Sequence, residues 1–214
     1  NRESVHLLGP SRGFGYGVAG CFLAFIIQGS VNGGLLDLFA HHGPGIAGYL
    51  LLGAGAGICQ LFGKWLGLFV LLHQAHVSDR VEVIALGLGV GLGFALAEIV
   101  VIGQGMIVRL AALDPPALLS LLERFSAGGF HVYSGALIAI AIVTRRLHWI
   151  LWVFILHTLV DWLAGAQGHA MHLPVIGLEV IFLIVAGIVF FLYDRARHTL
   201  AEPMPVWPKH QTET

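Results

Sequence analysis

Charged residues are scarce in this chain of 214 residues, where Asp, Glu, Lys and Arg make up 11% and hydrophobic residues make up 57%. That balance excludes a soluble globular domain and a nucleic-acid-binding protein. Together with a mean hydropathy of +0.85, it indicates a polytopic helical membrane protein of one domain, whose surroundings are the lipid bilayer.

Cysteine is almost absent as well. The two cysteines, Cys21 and Cys59, both fall in apolar segments, which excludes a disulfide framework and indicates packing residues. The sequence shows neither an initiator Met nor a signal-peptide pattern at its start. This is compatible with a trimmed chain that lacks one N-terminal helix.

Long apolar segments, by contrast, are abundant. A membrane-spanning helix needs about 20 mostly apolar residues. Six segments meet this requirement: 13–30, 46–72, 84–108, 120–143, 148–166 and 174–193. We therefore predict an all-α fold, a polytopic transmembrane bundle of about six spans. Residues 13–193 form its single domain, and residues 194–214 form a flexible cytoplasmic tail.

The basic residues are distributed unevenly between the two sides of this bundle. Six spans place both termini on one side, together with eight of the basic residues: Arg2, Arg12, Arg80, Arg145, Arg146, Arg195, Arg197 and Lys209. The opposite side carries only Arg109. Because cytoplasmic loops of membrane proteins are enriched in Lys and Arg, we predict a multi-pass protein of the inner membrane with both termini in the cytoplasm.

Several ionisable residues nevertheless lie within the predicted spans. Such groups are costly at bilayer depth, so they usually face the interior of the bundle and mark function. The residues concerned are Lys64, Glu98, Glu123, Arg124, His131, His157 and Asp161.

His131 and His157 lie about half-way along consecutive antiparallel spans, so we expect them at one depth, close enough to share a metal, a water or a cofactor. Glu98 lies near mid-depth in the third span. Asp161 follows His157 by four residues, which places both on one helix face, where a carboxylate can orient the ring.

A structural role is the alternative at each of these positions. Glu123 and Arg124 are neighbours in the chain, and they could form a local ion-pair network that only fixes helix packing. Lys64 could extend its ammonium group towards the cytoplasm while its aliphatic stem stays in lipid.

Three stretches, in order along the chain, resemble one known family. "LGFALAEIVVIG" (92–103) is similar to a Gly-rich helix that ends in a glutamate, "LLERFSAGGFHVYSGALIAIAIVTRR" (121–146) resembles an "ER…H" helix, and "LHTLVDW" (156–162) resembles an "HxxxD" helix. These are features of the bacterial YhfC-type intramembrane metalloprotease family, related to the PrsW proteases and the CAAX prenyl-protease superfamily. The resemblance covers roughly residues 15–165.

The resemblance implies a CAAX-protease-like bundle in which a Glu-Glu-x-x-Arg motif and two histidine-bearing helices enclose a hydrophilic cavity. A glutamate there activates water for peptide hydrolysis, with a divalent metal such as zinc or without one. On this resemblance the residual catalytic site comprises Glu98, Glu123, His131, His157 and Asp161, with His131 and His157 as the metal ligands.

The sequence departs from the family pattern at the paired glutamates. "GAGAGICQLFGKW" (53–65) aligns with the motif-bearing helix and places Gln60 and Leu61 where the two glutamates belong. Lys64 replaces the arginine, and Phe94 occupies a place where the family often has a histidine. Neither Gln60 nor Leu61 can accept a proton as a general base, so the motif is degenerate.

Three functions remain open. The first is a catalytically inactive protease-like scaffold, assembly factor or accessory subunit of a larger membrane complex, and the sequence favours it. The second is an active peptidase in which Glu98 is the general base, His131 and His157 hold a metal or the oxyanion, and Asp161 orients His157. The third is a carrier of haem or chlorin ligated by His131 and His157.

Overall fold

The structure is a computed structural model that describes residues 3–75, 77, 79–102, 115–167, 169, 171 and 174–200. Within these residues it contains six α-helices: α1 (Glu3–Leu38), α2 (Gly45–Ala75), α3 (Arg80–Ile102), α4 (Pro115–Thr144), α5 (His148–Ala166) and α6 (Val175–Arg197). Each helix includes a segment long and apolar enough to cross a membrane. The prediction of an all-α bundle with six spans is confirmed.

The ends of several helices differ from the predicted spans. The first helix has 36 residues and is therefore about 54 Å long, well beyond the roughly 30 Å hydrocarbon core of a bilayer. The last helix continues past the predicted domain boundary at 193 and ends at Arg197. Residues 103–108 of the predicted third span and most of the predicted tail, from 201 onwards, lie outside the described residues.

Helix α4 lies at the centre of the bundle. Its six consecutive residues Ala136–Ala141 have no accessible surface, which distinguishes them from the lipid-facing sides of the other helices. Helix α3 packs against α1 and α4, α2 packs against α1 and α5, and α6 packs against α4. This segment of α4 is therefore surrounded by protein, and so are the nearby polar side chains of His131 and Ser134, as polar groups at bilayer depth require.

Glycines allow α3 and α4 to approach until their backbones touch. A Cβ atom on Gly87 would lie 2.6 Å from the Cα of Ala136, and one on Gly91 would lie 2.6 Å from the Cα of Val132. No larger side chain fits at either place without displacing a helix, which is how small residues hold membrane helices together. This close contact brings residues of α3 within hydrogen-bonding distance of α4.

The connection between α4 and α5 is short and turns the chain sharply. It consists of residues 145–147, and Arg145 adopts a left-handed backbone conformation with φ of 56°. The backbone N–H of Arg146 donates a hydrogen bond to the carbonyl of Ala141 at 3.1 Å, which closes the end of α4. The two helices are consequently antiparallel neighbours, as predicted.

Candidate functional site

A polar cavity of about 210 Å³ lies within the bundle. All five residues predicted as the residual catalytic site line it, and they come from α3, α4 and α5. The polar lining comprises Gln28, Gln60, Glu98, Glu123, Arg124, Ser126, His131, His157 and Asp161. The structure therefore gathers into one place residues that are up to 133 positions apart, from Gln28 to Asp161.

Lys64 points into the protein. Its side chain has no accessible surface, and its Nζ lies 2.9 Å from Nδ1 of His131 and donates a hydrogen bond to Oγ of Ser134 at 3.1 Å. Ser134 in turn donates to the backbone carbonyl of His131 at 3.0 Å. The expectation that Lys64 extends towards the cytoplasm was wrong, because these partners on α4 satisfy the ammonium group inside the bundle.

The second nitrogen of His131 is also engaged. Nε2 lies 2.7 Å from Oε2 of Glu98 on α3, and both side chains are buried. A protonated lysine can only donate hydrogen bonds, so Nδ1 of His131 must be the acceptor and Nε2 must carry the proton that Glu98 accepts. The tautomer follows from these partners. Lys64, His131 and Glu98 then form a chain across α2, α4 and α3 with a cation at one end and an anion at the other.

Aromatic rings flank this chain. The centroids of the Phe94 and His131 rings are 5.1 Å apart, and Nζ of Lys64 lies 4.8 Å from the Phe94 centroid and 5.7 Å from that of Phe130. Both distances are within the range of a cation–π attraction. Phe94 thus contributes to the environment of the ammonium group and covers one side of His131.

His157 lies beside His131 but has a different set of partners. The ring centroids are 5.4 Å apart, which confirms that the two histidines share one depth. Nε2 of His157 is 3.4 Å from Oδ2 of Asp161, and among the residues that the structure describes neither this Oδ2 nor the buried Nδ1 of His157 has a hydrogen-bond partner. The pairing on one helix face is confirmed, but the contact is longer than a normal hydrogen bond.

The two positions aligned with the paired glutamates face different surroundings. Gln60 is buried, lines the cavity, and its Nε2 lies 3.4 Å from Oε1 of Gln28 on α1. Leu61 does not line the cavity; it lines an apolar groove between α2 and α5. Only one of the two aligned positions is therefore directed towards the polar site.

Glu123 and Arg124 also line the cavity, about two helical turns from His131 along α4. Arg124 Nη2 donates a hydrogen bond to Glu123 Oε1, and the two side chains form an ion pair. Both are partly accessible: the side chain of Glu123 is 26% exposed and that of Arg124 is 15% exposed. The predicted ion network exists as this local pair, at the more open end of the cavity.

Sequence reasoning missed three polar residues around the site. Ser134 follows His131 by three residues and so lies on the same helix face, a spacing that could have identified it. Gln28 and Ser126 line the cavity from α1 and α4, and their sequence context contains no signal that sets them apart.

The geometry does not fit a metal or haem on the two histidines. A ligating histidine needs a ring nitrogen with a free lone pair, and both nitrogens of His131 are engaged by Lys64 and Glu98. Among the residues that the structure describes, no three His, Cys, Asp or Glu side chains converge in a way that could hold a metal ion. With both of its nitrogens engaged, His131 cannot join His157 in the predicted two-histidine ligation of zinc, haem or chlorin.

Within the residues that the structure describes, fold and site together define a bundle of six helices able to span a membrane, with a buried charged network beside a polar cavity. Comparison with protein-family models, with curated proteins and with solved structures finds no match to this chain.

Proposed function

We propose that this protein is a catalytically inactive member of the YhfC-type intramembrane protease family. In this proposal the former catalytic centre holds the helices together, and the protein serves as a scaffold, assembly factor or accessory subunit of a larger complex in the inner membrane. The observation that carries the proposal is the chain of contacts from Lys64 through His131 to Glu98. The charge distribution of the loops supports cytoplasmic termini.

The contacts of Glu98 argue against a role as general base. A general base must take a proton from water, but Oε2 of Glu98 already accepts a hydrogen bond from Nε2 of His131, and Lys64 supplies the counter-charge at the other end of the chain. Withdrawing Glu98 from this chain would leave a buried ammonium without its anion, which is costly in a low-dielectric interior. The arrangement suits the fixing of three helices better than it suits proton transfer.

The residues aligned with the family motif support the same conclusion. Gln60 reaches the cavity but its amide cannot act as a base, and Leu61 is directed to the groove on the other side of α2. Lys64 occupies the place of the motif arginine and contacts His131 directly. The three positions thus contribute a hydrogen bond, an apolar contact and a counter-charge, and none contributes a carboxylate.

A cleavage assay on the purified protein tests this proposal. The protein is reconstituted into liposomes with quenched fluorescent transmembrane peptides, and wild type is compared with Glu98→Gln. We expect no cleavage above that of protein-free liposomes for either form, while Glu98→Gln melts at a lower temperature. Cleavage by the wild type that Glu98→Gln abolishes would overturn the proposal.

One observation favours a second function, that of an active peptidase. The cavity is lined by polar groups, and His157 beside it has an Nδ1 without a hydrogen bond while Nε2 faces Asp161. A histidine backed by a carboxylate, with its other nitrogen unengaged, is the usual arrangement of a general base. Cleavage that His157→Phe and Asp161→Asn abolish, but Glu98→Gln leaves unchanged, would establish this second function.

A further inference from the structure

A second depression lies on the lipid-facing side of the bundle, remote from the polar cavity. It is a groove of about 510 Å³ between α2 and α5, within the range of about 300–1,000 Å³ typical of small-molecule sites. Its walls are entirely apolar, and the side chains include Ile58, Phe62, Trp65, Leu147, Leu151 and Phe154. We call this depression the α2–α5 groove.

The α2–α5 groove is open towards the membrane. Ile58 on α2 and Leu151 on α5 both line it and are each 56% exposed, and Leu147, directly before α5, is 72% exposed. Within a bilayer such a surface is covered by hydrocarbon. From Leu147 to Phe154 the groove follows about two turns of α5, or roughly 10 Å along the helix axis. An extended acyl chain has the shape and chemistry that this surface accepts.

Two arginines adjoin one end of the groove along the chain. Leu147, the last apolar residue of the wall, directly follows Arg145 and Arg146 in the α4–α5 connection, and both arginines are exposed. Arg145 has the left-handed backbone that turns the chain at this point. This is also the end that the distribution of basic residues predicts to be cytoplasmic. Positive charge at the membrane surface and an apolar groove running inwards from it match the two halves of an anionic phospholipid.

We propose that the α2–α5 groove binds one anionic phospholipid, with an acyl chain along the groove wall and its phosphate headgroup at Arg145 and Arg146. Zwitterionic lipids fill the groove only as ordinary solvent, because they bring no net negative charge to the arginines. The proposal concerns a different face of the molecule from the polar cavity. It holds whether or not the protein cleaves peptides.

Trp65 provides a reporter inside the groove. Bromine atoms on an acyl chain quench the fluorescence of a tryptophan that they touch. In nanodiscs of phosphatidylcholine we expect a small fraction of brominated phosphatidylglycerol to quench emission far more than the same fraction of brominated phosphatidylcholine. The excess quenching should be absent in Trp65→Phe, which retains an aromatic wall. Unlabelled phosphatidylglycerol should reverse the quenching, whereas inorganic phosphate in solution should not.

The arginines supply the matched variants. The double variant Arg145→Gln/Arg146→Gln should need about 25-fold more brominated phosphatidylglycerol for the same quenching. The reason is that each basic residue near the membrane surface contributes about 1 kcal/mol, or roughly fivefold in lipid affinity. The control is Arg195→Gln/Arg197→Gln, which removes two exposed arginines at the end of α6, away from the groove, and should change the requirement less than twofold.

Three results would overturn the proposal. The first is equal quenching by the two brominated lipids in the wild type, which requires no variant. The second is an equal loss in the control double variant, which would indicate a general effect of surface charge. The third is reversal of the quenching by inorganic phosphate, which would indicate an anion site without a lipid.

Discussion

The two central histidines differ in how completely their hydrogen-bonding capacity is used. His131 has a partner for each ring nitrogen, Lys64 on one side and Glu98 on the other. His157, whose ring centroid is only 5.4 Å away, has a carboxylate 3.4 Å from one nitrogen, and in the described part of the chain its other nitrogen has no hydrogen-bond partner. Two residues of the same type, side by side in the bundle, therefore differ in whether a ring nitrogen remains available for binding or proton transfer.

This difference indicates a structural role for His131 and leaves His157 available for binding or chemistry. Fully satisfied buried polar networks rigidify a fold, while incompletely satisfied groups are where ligands and reactions are found. His131 joins α2, α3 and α4, so replacing it should lower the free energy of unfolding. The only polar contact of His157 within the described residues is the long one to Asp161 on its own helix, although its ring also packs against Phe130 and His131. Replacing it should therefore affect mainly the function of the cavity.

The largest effect is expected from removing the cation of the His131 network. Lys64→Met keeps the apolar stem but leaves Glu98 as a buried anion without its counter-charge. Breaking a buried pair in this way costs about 3–5 kcal/mol of unfolding free energy. Adding Glu98→Gln to Lys64→Met should recover a large part of that loss, as measured by chemical or thermal unfolding in detergent micelles. A cost below about 1 kcal/mol for Lys64→Met would contradict the network.

A somewhat smaller effect is expected from Glu98→Gln alone. The amide can still accept the proton of His131, but it removes the charge that balances Lys64, and hydrogen bonds to charged groups contribute about 1.5–3 kcal/mol. We expect a loss of that size in the same unfolding experiment. If Glu98→Gln were as stable as the wild type, Glu98 would not be the anion of the network.

The close contact of α3 and α4 gives a third prediction. Gly91→Ala introduces a Cβ that would collide with the backbone of His131 and Val132, so it must push α4 away from α3 and lengthen the Glu98–His131 contact. Such overpacking costs about 1–3 kcal/mol. The matched control is Gly128→Ala on α4, where nothing lies within 4 Å and the change should be neutral or slightly stabilising. Equal melting temperatures for the two variants would contradict this account.

The smallest effect is expected at the second histidine. Asp161→Asn makes the same acid-to-amide change as Glu98→Gln, but at a carboxylate whose Oδ2 makes no hydrogen bond. Because it removes a poorly compensated buried charge, it should change the unfolding free energy by less than about 1 kcal/mol or increase it. If Asp161→Asn lowered the free energy of unfolding as much as Glu98→Gln does, both histidines would be structural. The proposed difference between them would then be contradicted.

The sequence was sufficient for features that depend on one helix at a time. Apolar length predicted the six spans, and the i, i+4 spacing predicted that Asp161 lies beside His157. The position of each histidine about half-way along its span, on either side of a tight helical hairpin, predicted that His131 and His157 lie close together. Each of these follows from the geometry of a single helix or of one tight helical hairpin.

Features that depend on how helices rotate against one another could not be predicted in this way. Lys64 was expected to extend along α2 towards water, yet it reaches across to His131 because α2 presents that face to α4. Leu61 aligns with a catalytic position, yet it faces the groove. The rotation of each helix is decided by close backbone contacts, such as that of Gly91 with α4, and these are not visible as a pattern in one sequence.

The most direct test of the central claim is the tautomer of His131, measured by ¹⁵N solid-state NMR on histidine-labelled protein in liposomes, with the signal assigned through a His131→Asn variant. The account predicts a neutral ring that carries its proton on Nε2 and accepts a hydrogen bond at Nδ1. A doubly protonated ring, or a neutral ring with its proton on Nδ1, would contradict the chain from Lys64 through His131 to Glu98.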